Sequence, residues 1–326
     1  MQSFLDPAIL FFVFGIFAGA VKSNLEIPAP ISRFLSLYLL MALGLKGGFA
    51  LAKSGLTADV AISLGCAVLL ATVVPLAGYL VLRRFLGGFD AAALAATYGS
   101  VSAVTFITAV QYLETRGVAF GGHMAAAMAL MESPAIVMAV VLASLVRQRN
   151  AAPQPAGAPA APAMPLRKVV HESLTDGTQL LLLAAMLIGI VTGQAGQAAM
   201  QPFIGDLFRG MLAFFLLDMG LLAARNMGGL RGKSPWLLAY AIAGPLGHAA
   251  LALLLAMLTG MSAGNAALLM VLAASASYIA VPAVIRHAIP EASPSLYFGM
   301  SLGLTFPFNI LVGIPLYNHL AQRMLS

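Results

Sequence analysis

The chain has 326 residues, of which 61% are hydrophobic and only 9% charged, with a mean hydropathy of +0.95. That balance excludes a water-facing globular surface and marks a polytopic membrane protein. The formal charge of +6 comes from 17 Lys and Arg scattered between apolar runs, with no basic stripe interleaved with aromatics, so nucleic acid is not the partner.

Cys66 has no partner for an internal disulfide, and the five histidines have no metal-binding spacing. The runs are too long and too continuous for barrel strands, and about 20 residues span a bilayer as a helix, so the expected fold is all-α. The opening "MQSFLDPAILFF" has an acid and no base ahead of its apolar run. It reads as a first span and not as a cleaved signal.

Ten spans are predicted in chain order. The first five are residues 8–21, 31–51, 58–82, 91–113 and 124–146, and the second five are 178–198, 209–224, 236–259, 266–288 and 296–320. Between them "NAAPQPAGAPAAPAMP" reads as an extended linker, which divides the chain into a first repeat (1–149), a linker (150–170) and a second repeat (171–326). If the linker is cytoplasmic, its side carries 12 of the bases and the other side 4, with Lys46 left inside a span. The positive-inside rule then places the linker in the cytoplasm and both termini outside, in a multi-pass protein of the cell (inner) membrane.

The halves repeat. A shift of 174 pairs Gly15, Gly19, Pro28 and Phe34 with Gly189, Gly193, Pro202 and Phe208, and a shift of 170 pairs Pro75 with Pro245. A shift of 175 pairs Asp90, Leu94, Ser100 and Ser102 with Asn265, Leu269, Ser275 and Ser277, and one of 173 pairs Pro134 with Pro307. Five spans per copy is an odd number, so the second copy enters the membrane inverted, which is a plan common among secondary transporters.

The fourth and ninth spans carry "YGSVSAVTF" and "ASASYIAVP", each with an SxS where the midplane falls. One such cluster alone is ordinary close packing of small residues. A symmetrical pair, with Gly99 beside one and Pro282 after the other, points to two broken helices whose second halves start near Ser102 and Ser277. Their free N–H groups would face each other across an anion site. The hydroxyls of Ser100, Ser102, Thr105, Ser275 and Ser277 add donors, and the carbonyl ends of the preceding half-helices suit a small cation. Sodium candidates are Asp218, Glu132, Ser100 and Ser275. The two carboxylates are deep in spans, where each could hold sodium or carry a proton. Lys46 is expected to pair with one of those two carboxylates. Asn309, beyond Pro307, could turn its amide to the substrate. The GxxxG pairs read as packing contacts.

"YGSVSAVTF", "MESPAIVM", "ASASYIAVPA" and "TFPFNILVGIPLY" resemble the sodium-dependent bicarbonate transporter family, the SbtA-like permeases, over essentially the whole chain outside the linker. The resemblance implies two inverted five-helix repeats, elevator motion of a core domain past a gate domain, a homotrimer, and cotransport of sodium with bicarbonate. It implies substrate contacts at Gly99, Ser100, Val101, Ser102, Ala103 and Thr105, with Ser275, Ser277 and Asn309. Cyanobacterial members are regulated by a trimeric PII-like protein at the central loop; here that loop is an Ala and Pro tract with few charges, which argues against such a partner.

The expected function is sodium-coupled bicarbonate symport, with sodium as the coupling ion and no other cofactor. The alternatives are a permease for another small anion or a monocarboxylate, driven by sodium or protons, and, with less support, an anion channel. No GxSxG, metal cluster or spaced carboxylate pair suggests an enzyme.

Overall fold

A computed structural model describes residues 6–150, 171, 175–230 and 232–325, and these contain helices and no strands. The expected linker lies outside the described residues except for Asn150, which ends α6. The helices are α1 (Pro7–Ala20), α2 (Ala29–Ser54), α3 (Ala58–Leu82), α4 (Gly88–Gly99), α5 (Ala103–Thr115) and α6 (Met124–Asn150). They continue with α7 (Gly177–Ile204), α8 (Asp206–Met227), α9 (Pro235–Thr259), α10 (Ala263–Ala274), α11 (Ala280–Ala288) and α12 (Pro294–Leu325).

Among the described residues 8 stretches are long and apolar enough to cross a membrane, counting α4 with α5 as one. The first and ninth predicted spans appear as shorter apolar helices, Pro7–Ala20 and Ala263–Ala274, the latter followed by α11. Local sequence explains the starts. Pro7 opens α1 behind Asp6, whose carboxylate accepts the Ala8 N–H at 2.8 Å, and Asp176 accepts the N–H groups of Thr178 at 2.9 Å and Gln179 at 3.2 Å to open α7. In α12 the chain widens twice, over Gly299–Thr305 and Asn309–Gly313, where the Phe306 N–H reaches the Ser301 carbonyl and the Ile314 N–H that of Asn309. Such five-residue bonds mark bulges inserted into an α-helix.

Packing sorts the helices into two groups, each built from both halves of the sequence. In one group α1 lies along α8 and α2 along α7. Gly15 meets the Leu217 carbonyl and Gly220, and Gly48 meets the Met186 carbonyl and Gly189, so closely that a Cβ at either would overlap backbone. Small residues let these helices approach where lipid supplies no hydrophobic drive between them. Of the two GxxxG pairs, Gly15, Gly19 and Gly189 do pack as expected. Gly193 instead faces open space and kinks α7 at φ 53°, which few residues other than glycine adopt. In the other group α3 packs on α4 and α6, and α9 and α12 pack on α10.

Contacts between the halves are crossed. Asp90, at the start of α4, accepts the Ser293 N–H at 2.7 Å in the loop before α12. Its sequence mate Asn265, at the start of α10, accepts the Gly121 N–H at 2.6 Å in the loop before α6.

Candidate functional site

The fourth span is broken. α4 ends at Gly99, residues 100–102 are extended, and α5 begins at Ala103 with Ser102 as its cap. The Ser102 hydroxyl accepts the Thr105 N–H at 3.2 Å and the Thr105 hydroxyl at 2.9 Å. Capping by a serine at this position satisfies one of the orphan donors of a helix start. The Ser102 N–H donates to the Ser275 hydroxyl at 2.9 Å, so the two breaks touch. In return the Ser277 N–H donates to the Thr97 carbonyl at 2.9 Å. This reciprocal pair pins each unwound segment to the other and satisfies backbone groups that hydrocarbon could not. The N–H groups of Ala103 and Val104 have no acceptor among the described residues, and both residues line a cavity.

The second break is longer. α10 ends at Ala274 and α11 begins at Ala280, three residues later than the sequence suggested for a half-helix starting near Ser277. The Ser277 hydroxyl accepts the Val281 N–H at 3.3 Å, and Pro282 has no N–H to offer. The two helix starts therefore differ in their capping, since Ser102 directly precedes α5 whereas Ser277 stands three residues before α11.

The cavity holds about 60 Å³, several times the roughly 10–15 Å³ that admits one water. Its wall combines Val101, Ser102, Ala103 and Val104 of the first break with Ser277, Tyr278 and Ile279 of the second. Ser36 and Leu40 of α2, Thr178, Gln179 and Leu182 of α7, and Met128 and Glu132 of α6 close it. It therefore lies between the two helix groups. Glu132 is half-buried, and its Oε2 accepts from the Gln179 side chain at 2.8 Å.

The other predicted residues stand behind this wall. The Ser100 hydroxyl is buried and has no hydrogen-bond partner, while Ser275 donates to the Leu272 carbonyl at 2.9 Å. Gly99 packs on Pro75, whose ring atoms would lie 2.6 to 2.7 Å from an added Cβ. Thr105 is tied to Ser102. Asn309 donates to the Ala274 carbonyl at 2.8 Å and accepts from the Tyr317 hydroxyl at 3.0 Å, which caps α10 from the first residue of the second α12 bulge. Tyr98 adds rigidity, its hydroxyl 2.6 Å from that of Thr305, which itself donates to the Ala241 carbonyl at 2.7 Å.

Asp218 is away from the cavity wall. It accepts the Ser32 hydroxyl at 2.5 Å between α2 and α8. Among the described residues no three His, Cys, Asp or Glu side chains cluster as metal ligands. Lys46 pairs with neither expected carboxylate. It binds Glu114 at 3.0 Å and covers the Phe208 ring, 4.2 Å from its centroid. The reason is distance along α2, since Lys46 lies 14 positions beyond Ser32 and hence about 21 Å from the level of Asp218.

Tyr278 and Gln179 escaped sequence reasoning. Tyr278 directly follows the second SxS, its hydroxyl 3.4 Å from that of Ser102, and an aromatic beside a small-residue break was the available signal. Gln179 offered only a polar residue in a helix's first turn.

The molecule is thus a multi-pass α-helical membrane protein with a small, largely apolar cavity where two interrupted helices meet. A family model, the Na+-dependent bicarbonate transporter superfamily, matches residues 7–322. The chain belongs to that superfamily. No curated protein matches it.

Proposed function

We propose that the chain is a secondary active transporter, and not an enzyme, that couples sodium entry to bicarbonate uptake across the cell membrane. The anion is held at the start of α5. The observation that carries this reading is that the first two residues of α5, whose N–H groups have no acceptor among the described residues, line one cavity with Ser102 and Ser277 of the two breaks. A helix start supplies partial positive charge as well as donors, so an anion is bound there without a buried base.

Sodium is cargo here. The buried, unpaired Ser100 hydroxyl beside the carbonyl end of α4 supports a cation position next to the anion, with Ser275 across from it. Each sodium entering gains about 2.3 kcal/mol per 100 mV, which offsets the equal cost of one entering anion and leaves the sodium concentration gradient as the drive. Glu132 borders the anion position, whereas Asp218 serves the packing of α2 on α8. Gly99, Thr105 and Asn309 shape the two breaks from behind.

The crossed bonds of Asp90 and Asn265, and of Ser102 and Ser277, support an inverted pair of five-helix repeats. The two helix groups, with the cavity between them, support an elevator in which α1, α2, α7 and α8 form the gate. A cytoplasmic linker, external termini and a homotrimer complete the proposal, without a PII-like regulator.

Radiolabelled bicarbonate uptake into proteoliposomes, with and without an inward sodium gradient at fixed pH, tests it. Saturable uptake that needs sodium is expected. Uptake no faster than in empty liposomes, by folded protein, would transfer the site to another small anion.

A further inference from the structure

A carboxylate on the wall of an anion site requires an account. Glu132 lines the same cavity of about 60 Å³ as Ser102, Ala103 and Val104. Gln179 holds its Oε2 at 2.8 Å, and Oε1 accepts no hydrogen bond from the described residues. An ionised carboxylate beside a bound anion repels it, and in a narrow, poorly hydrated space that repulsion is strong. The repulsion is reversed when the anion carries a proton to donate, because an O–H to carboxylate bond is charge-assisted and short.

Resting on the bicarbonate reading above, we propose that Glu132 reads the hydroxyl of the transported anion. Its free oxygen accepts the O–H of bicarbonate, and its charge turns away planar anions of similar size that have no proton to give. Nitrate is the sharpest comparison, with three oxygens in a plane and a single negative charge, as in bicarbonate, but no hydrogen. Formate is a second. The donors at the start of α5 hold the two proton-free oxygens, and Glu132 from the opposite side selects the third. Gln179, fixed in the first turn of α7 next to the Asp176 cap, is a positioning residue that aims the carboxylate. Discrimination here rests on a repulsive element as much as on an attractive one. Sites built around a substrate hydroxyl reject analogues lacking it far better than apolar pockets reject a change of size.

The test is inhibition of sodium-driven bicarbonate uptake by nitrate and formate in proteoliposomes, using full-length wild type, Glu132→Gln and Glu132→Asp. In wild type, nitrate should fail to compete even at about a hundredfold the half-saturating bicarbonate concentration. In Glu132→Gln, whose amide repels no anion and can donate to one, nitrate should compete within about tenfold of it, and bicarbonate uptake should fall. Glu132→Asp keeps the charge but withdraws it by one methylene, so it should raise the half-saturating concentration and still exclude nitrate. Equal nitrate inhibition of wild type and Glu132→Gln overturns the proposal. Should Glu132→Gln fail to fold, admission of nitrate by Glu132→Asp overturns it instead. Wild type that transports bicarbonate without rejecting nitrate sinks only this inference; wild type that transports no bicarbonate sinks the functional reading beneath it.

Discussion

The two helix breaks come from matching sequence, SVS and SAS at a shift of 175, yet they are built differently. The first interrupts three residues, is capped by its own serine, and puts Ala103 and Val104 on the cavity wall. The second interrupts five, from Ser275 to Ile279, and starts its second half with Val281 already bonded to Ser277 and with Pro282 lacking a donor. In the function proposed above, the first break supplies the positive end for the anion. The second supplies the wall, through Tyr278 and Ile279, and the Ser275 hydroxyl that holds the Ser102 N–H in place. A duplicated motif does not imply a duplicated structure, because the residues that follow each serine pair decide where the second half-helix starts.

The largest expected effect separates bulk from chemistry. Leucine at either Ser102 or Ser277 fills the cavity and should abolish uptake, by about a hundredfold or more, with expression and folding intact. Alanine should split the pair. Ser102→Ala uncaps α5 and should cost about tenfold in uptake, roughly the worth of one helix cap, while Ser277→Ala should cost about twofold. Equal losses in the two alanine variants would break the comparison.

Next in size is the way each break is held from behind. Gly99→Ala forces a Cβ against the rigid Pro75 ring and should destabilise by about 1–3 kcal/mol, read as a lower Tm in detergent. Asn309→Leu leaves the Ala274 carbonyl and the Tyr317 hydroxyl without their partner and should cost about 1–3 kcal/mol for each group left buried and unbonded. If Gly99→Ala left Tm unchanged, the first break would be softer than its packing implies.

The smallest effect is the most diagnostic. Pro282→Ala restores an N–H to the start of α11 and should leave the half-saturating bicarbonate concentration within about twofold, since the first break carries the anion. A tenfold gain in affinity would show that both ends bind.

Most of the architecture was legible in the residues. Spans 3 and 5 begin where predicted, at Ala58 and Met124, because long apolar runs between polar turns leave helices little freedom. The break at residues 100–102 was legible too, as Gly99 and two serines cluster where an unbroken helix would have no use for them. Three features were not. The late start of α11, the pairing of Lys46 with Glu114 and the place of Asp218 on Ser32 all depend on which helix faces which, and on distances along helices that periodicity does not encode. Glu132 was visible as a carboxylate in a span, but its presence on the wall shared by both breaks was not, because Gln179 comes from the other half of the chain.

By itself, then, the sequence determined a helical, multi-pass membrane protein with two small-residue interruptions. Hydrophobic length and residue size are properties of a local stretch, and they act before any long-range contact forms. Only the tertiary structure decided that the interruptions cross, that Ser102 is bonded to Ser275 and Ser277 to Thr97, and that residues of both breaks line one cavity. Those outcomes depend on backbone groups finding partners from the opposite half, where no water is available to take their place.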